Sequence, residues 1–174
     1  MGLTFQVGAA DQVLEEPLAS KLAHLLGELY PGSGSEHSES ELWYSTELGW
    51  SGWEALQTRV KAVLGPKAAP HFDSMEAWFG AYLPTTQALE PGAVEVDGGS
   101  TPLSVASLPA LVQELQRFGA AAGLPTDAPG LEALAAKYDD DELCDDDMDV
   151  QTYAQLLQGA LVASERRQPL WIIK

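Results

Sequence analysis

Residues 169–174, Pro169-Leu170-Trp171-Ile172-Ile173-Lys174, end the chain with four consecutive large apolar side chains. Aromatic and β-branched residues in an unbroken run fit a pleated surface better than a helix face. Successive strand residues point to opposite faces, so a strand that is apolar at every position is covered on both sides and belongs inside a sheet. At the other end of the chain, Leu3, Phe5 and Val7 alternate with small or polar residues and read as a strand with one buried face. The two termini together predict a sheet in which both take part.

Between them the apolar spacing is mostly helical. Leu18, Leu22, Leu25, Leu26 and Leu29 recur after Pro17 until Tyr30-Pro31-Gly32 stops the pattern. Ser51-Gly52-Trp53-Glu54 has the form of a capping box, followed by Leu56, Val60, Val63 and Leu64 and closed by Gly65-Pro66. Met75, Trp78, Phe79 and Tyr82 are spaced to share a face of a third helix beginning at Asp73. Ser107 can cap a fourth, with Leu108, Leu111, Leu115 and Phe118 inward and an end near Gly123. Residues 129–138 read as a short fifth. Asp149 can cap a last helix, with Met148 and Tyr153 at hydrophobic-staple positions and Arg166 and Arg167 at its end. Leu42–Ser45 and Ala93–Val96 are further strand candidates, the second turning through Asp97-Gly98-Gly99 toward a hairpin partner at 101–105. The segment 31–41, PGSGSEHSESE, has nothing to bury and reads as a mobile surface loop. The expectation is a helix-rich α+β single domain over 1–174, five or six helices on a small mixed sheet, with any sub-lobe boundary near 84–92.

Charge narrows the function. The chain of 174 residues carries 26 acids against 9 Lys and Arg, a formal charge of −17. Such a field opposes direct binding to nucleic-acid phosphates or an anionic membrane and favours a basic partner, while also keeping a protein in solution. Cys144 is the sole cysteine, so no intramolecular disulfide forms. With no secretory leader pattern at the N-terminus and no apolar run of membrane-spanning length, the expected location is cytoplasmic.

The densest chemistry is at 139–149, DDDELCDDDMD, where eight of eleven residues are acids. An EF-hand loop counted from Asp139 would want Gly at its sixth position and Glu at its twelfth, where this chain has Cys144 and Val150. Weak divalent-cation binding stays as an alternative. Flanking acids disfavour a Cys144 thiolate. Extended, the run carries about one charge per ~4.5 Å, against one per ~1.7 Å in duplex DNA, so alone it mimics nucleic acid poorly. Capping accounts for Asp149 and one neighbour and leaves the rest unexplained.

Asp139, Asp140, Asp141, Glu142, Asp145, Asp146 and Asp147 are therefore the candidate surface for a basic protein partner, as in an inhibitor, immunity protein or antitoxin. The alternative is a small-molecule-binding protein or enzyme with a cleft lined by the aromatic segment 43–82, with His71, Asp73 and Trp78 as its test residues. Core packing is the commoner use of such aromatics. His71 and Asp73 alone do not make a metal site. No catalytic set, resident metal or cofactor is expected, since no phosphate loop, nucleotide fingerprint, nucleophile elbow or zinc spacing is present.

Overall fold

The computed structural model describes residues 2–36, 38–75, 79–96, 102–139 and 147–174. The terminal run forms β7 (Leu170–Ile173), which lies between β1 (Gly2–Val7) and β4 (Phe79–Leu83), antiparallel to both. Phe5 stands opposite Ile172 on one side, and Ala81 opposite Trp171 on the other. Beyond β4 lie β6 (Leu103–Ser107), parallel to it, and the edge strand β5 (Gly92–Val94), antiparallel to β6. At the opposite edge β2 (Trp43–Tyr44) and β3 (Leu48–Gly49) pair with the two ends of β1. The molecule is an α+β domain with one mixed seven-stranded sheet that includes both terminal strands.

Seven helices flank the sheet among the described residues. Five are long: α2 (Leu18–Leu29), α3 (Trp50–Leu64), α5 (Leu108–Ala122), α6 (Ala128–Asp139) and α7 (Met148–Arg166). The other two, α1 (Ala10–Val13) and α4 (Pro70–Asp73), are single turns. None of the helices is long and apolar enough to cross a membrane.

Strand alternation divides the core in two. Phe5, Tyr82, Ala106, Leu170 and Ile172 join one buried cluster with Trp53 of α3, Leu115 of α5 and Leu156 of α7. Ala81, Leu83, Leu103, Val105 and Trp171 join the other, with Leu22 and Leu26 of α2. Trp171 is fully buried and its indole N–H donates to the Gly8 carbonyl at 2.9 Å, so the polar end of this large side chain is satisfied.

Several local expectations change. Phe79–Leu83 is a strand, not the end of a helix begun at Asp73. The spacing of Met75, Trp78, Phe79 and Tyr82 mimics a helix face, but β4 is covered on both faces, and a fully covered strand shows no polar alternation. Helix α3 starts at Trp50 with Gly49 as its N-cap, so Ser51 and Glu54 form no capping box. Helix α7 starts two residues earlier than expected, with Asp147 rather than Asp149 as N-cap, and Met148 and Tyr153 are out of staple register. Instead Tyr153 packs edge-on against Phe118 and donates to the Pro125 carbonyl at 2.6 Å.

The segment following Pro31 does bury material. Ser33 and Ser35 are inside, their hydroxyls 2.8 Å apart, and the Ser35 carbonyl accepts from Ala10 N–H. Gly34, at φ 67°, passes so close to the Arg167 carbonyl that a Cβ would collide with it. Small residues here let the loop lie against the end of α7.

Candidate functional site

The acidic run can be followed only at its ends. Asp140, Asp141, Glu142, Asp145 and Asp146 lie outside the described residues, as do Trp78 and His37, while Asp139 closes α6. Asp147 is half-buried and makes no side-chain cap bond. Asp149, expected as the cap, sits in the first turn of α7, accepts from Val150 N–H at 2.8 Å and pairs with Arg59 of α3 at 2.9 Å. The guanidinium of Arg59 also lies over the Phe118 ring, 5.9 Å from its centroid. The last residue of the acidic run is thus fastened to α3 and, through Arg59, to α5.

A second acidic surface was not visible as a motif. Residues 1–54 hold nine carboxylates, all exposed, against Lys21 as the single Lys or Arg. Three of them, Asp11, Glu16 and Glu36, line a groove of about 380 Å³ with Ser20, His24 and Ser35. Glu16 is held there by Ser20, whose hydroxyl donates to it at 2.6 Å and whose N–H donates at 3.3 Å. The acids are scattered through the sequence, so only the packing of α1, α2 and the Ser33–Ser35 loop gathers them. Among the described residues no three His, Cys, Asp or Glu side chains come close enough to hold a metal ion.

The third feature is built around His71. The single turn α4 runs from Pro70 to Asp73, and its first free N–H groups, those of His71 and Phe72, donate to the two carboxylate oxygens of Glu114 at 3.1 and 2.8 Å. Glu114 is on α5 and only 4% exposed. Burial pushes its carboxyl above the ordinary value; the two N–H donors, His71 and Arg117 hold the rise back. The fully buried Tyr82 hydroxyl donates to the His71 carbonyl at 3.2 Å, and burial pushes its pKa well up, with Glu114 and Asp73 adding to the shift. The Ser74 hydroxyl donates to the same carbonyl at 2.8 Å.

From the end of β6, Ser107 N–H donates to His71 Nδ1 at 3.1 Å, while the Ser107 hydroxyl caps α5 by accepting from Ala110 N–H. A ring nitrogen that accepts carries no proton, so in neutral His71 the proton is on Nε2.

His71 lines a cleft of about 570 Å³. The other walls are residues 85–90, which follow β4, and Ser107 with Pro109 at the start of α5. Thr85 fixes the first wall: it is buried, donates to the Pro31 carbonyl at 3.3 Å and accepts from Gln87 N–H at 3.2 Å. Asp73 does not line this cleft. It faces Lys61 at 4.0 Å instead, and burial raises its carboxyl, with Lys61 partly offsetting the rise. The aromatic segment is core rather than groove at Trp53, Phe72 and Tyr82, all fully buried, with Trp53 and Phe72 rings 5.0 Å apart. No protein-family model, curated protein or solved structure matches this chain, so the reading of these sites rests on their own geometry.

Proposed function

We propose that the protein is a non-catalytic acidic interaction module that binds a basic partner protein by charge complementarity, as an inhibitor, immunity protein or antitoxin does. The observation that carries this reading is the concentration of exposed carboxylates on residues 1–54, nine against one Lys, in a chain already at −17. It adds to the 139–147 run a second acidic region that includes a groove of about 380 Å³ lined by Asp11, Glu16 and Glu36. Fields of this sign and size speed encounter with cationic proteins and repel nucleic acid and anionic lipid, so neither of those is proposed as a direct ligand. A cytoplasmic setting fits the lone cysteine.

Affinity capture from a cytoplasmic extract at low and at high salt, read by mass spectrometry, tests the reading. Basic proteins should be retained at low salt and released at high salt. Two charge-neutralised forms locate the contact: Asp145, Asp146 and Asp147 changed to Asn, and Asp11, Glu16 and Glu36 changed to Asn or Gln. Capture that ignores both salt and these substitutions would refute charge complementarity. A calorimetric calcium titration addresses the alternative, weak cation binding at 139–147, and tight binding there would displace the partner reading.

A further inference from the structure

The cleft beside His71 occupies the place in an open sheet where ligands characteristically bind. Strands β4 and β6 are adjacent and parallel, so both end at the same rim. The chain leaving β4 places Leu89 in the buried cluster on the α2 face, whereas the chain leaving β6 enters α5, whose Leu111 and Leu115 belong to the cluster on the other face. Connections that diverge to opposite faces leave a crevice outside the carboxyl ends of the two strands. The cleft is that crevice, with one wall from each connection, and its volume is within the range of small-molecule sites.

The hydrogen bonding singles out one atom in it. His71 N–H is taken by Glu114, its carbonyl by Tyr82 and Ser74, and its Nδ1 by Ser107. These bonds come from α4, α5, β4 and β6 and fix both the backbone and the ring tautomer, leaving Nε2–H as the donor that none of them uses. Second-layer partners of this kind hold a group in one orientation for an incoming ligand. The rest of the lining is mixed: Ala88, Leu89 and Pro109 are apolar, and among them stand the Thr86 hydroxyl, the Gln87 amide and the Glu90 carboxylate, which supply both donors and acceptors. Glu90, with the overall charge of −17, works against an anion, and polar groups set among apolar ones suit a ligand that carries both kinds of surface.

We propose that this cleft binds a small uncharged molecule bearing amide or hydroxyl groups, one oxygen of which accepts from His71 Nε2–H while Thr86, Gln87 and Glu90 hold its other polar groups. The site is separate from the acidic surfaces and stands or falls independently of the partner reading.

The experiment is a titration of the ¹⁵N-labelled full chain with N-acetylglucosamine, which is neutral and carries both amide and hydroxyl groups, and in parallel with inorganic phosphate. Imidazole ¹⁵N resonances and backbone amides are followed together. The expected result is a protonated Nε2 in the free protein, a shift of that nitrogen and of the Thr86, Gln87 and Ser107 amides with the sugar, and none with phosphate. In His71→Asn the side-chain oxygen can still accept from Ser107 N–H but Nε2 is gone, and affinity should fall about tenfold, the worth of one hydrogen bond. Gln87→Ala, on an exposed position, should weaken binding while leaving the fold intact. An Nδ1-protonated ring, stronger shifts with phosphate, no cleft shifts with the sugar, or sugar binding unchanged in both variants would each overturn the proposal.

Discussion

Glu114 and the carboxylates of residues 1–54 are the same chemistry in opposite circumstances. Glu114 is alone, nearly enclosed, and accepts from two backbone N–H groups that have no other partner in their short turn. The nine acids of the first 54 residues are all exposed, and of these Glu16 is oriented only by a neighbouring serine. The contrast shows that the number of acids and their structural importance are unrelated here. A carboxylate shapes the fold when it is the sole acceptor for buried donors, because leaving such donors unmet costs their full desolvation. Surface acids act through summed field, to which each contributes little.

Removing the acceptor is the strongest way to break this comparison. Glu114→Ala leaves the His71 and Phe72 N–H groups without a partner and should destabilise the protein by about 2 to 4 kcal/mol, read from urea unfolding. A loss no larger than that of a typical surface substitution would place Glu114 with the other acids.

Glu114→Gln sharpens it through pH. The folded chain raises this carboxyl above its ordinary 4.5, so the protonated form is favoured in the fold. The stability that Glu114 contributes is therefore full below 4.5 and is lost as pH rises through the raised folded-state value. Gln cannot ionise, so the stability of the variant relative to the parent should improve as pH rises through that window. Urea midpoints for both proteins across the range measure it, and a constant gap would show that the carboxyl titrates alike in both states.

The smallest effect is expected at the surface. Neutralising Asp11, Glu16 and Glu36 together should change stability by no more than about 0.5 kcal/mol, with relieved repulsion offsetting any lost contacts. Thermal unfolding checks this, and the same protein is the one in which salt-sensitive capture should fall.

The same contrast separates what could be read in advance. The acidic run was conspicuous because its charges are consecutive, whereas the acidic groove draws Asp11, Glu16 and Glu36 from three segments that no short window compares. His71 was singled out, but its companions were not. Asp73 faces Lys61 rather than the cleft, and the partners that fix the ring and its turn, Tyr82, Ser107 and Glu114, lie up to 43 positions away. Glu114 gave no signal, since an acid on an amphipathic helix reads as solvent-facing unless something distant needs it.

By itself the sequence determined that the ends of the chain meet in one sheet. An uninterrupted apolar strand at 170–173 has to be covered on both faces, and a neighbouring strand at 2–7 is available to flank it. It also determined the Ser107 cap and the Gly123 end of α5, because caps and left-handed glycines depend on local backbone geometry. Only the tertiary structure decided that Phe79–Leu83 is a strand. Its side chains are apolar toward both faces, so no local periodicity distinguishes strand from helix, and hydrogen bonding to β6 and β7 settles which one forms. The cleft follows from that choice. It exists because β4 and β6 end side by side and their connections part, a relation between segments about two dozen residues apart that neither segment encodes alone.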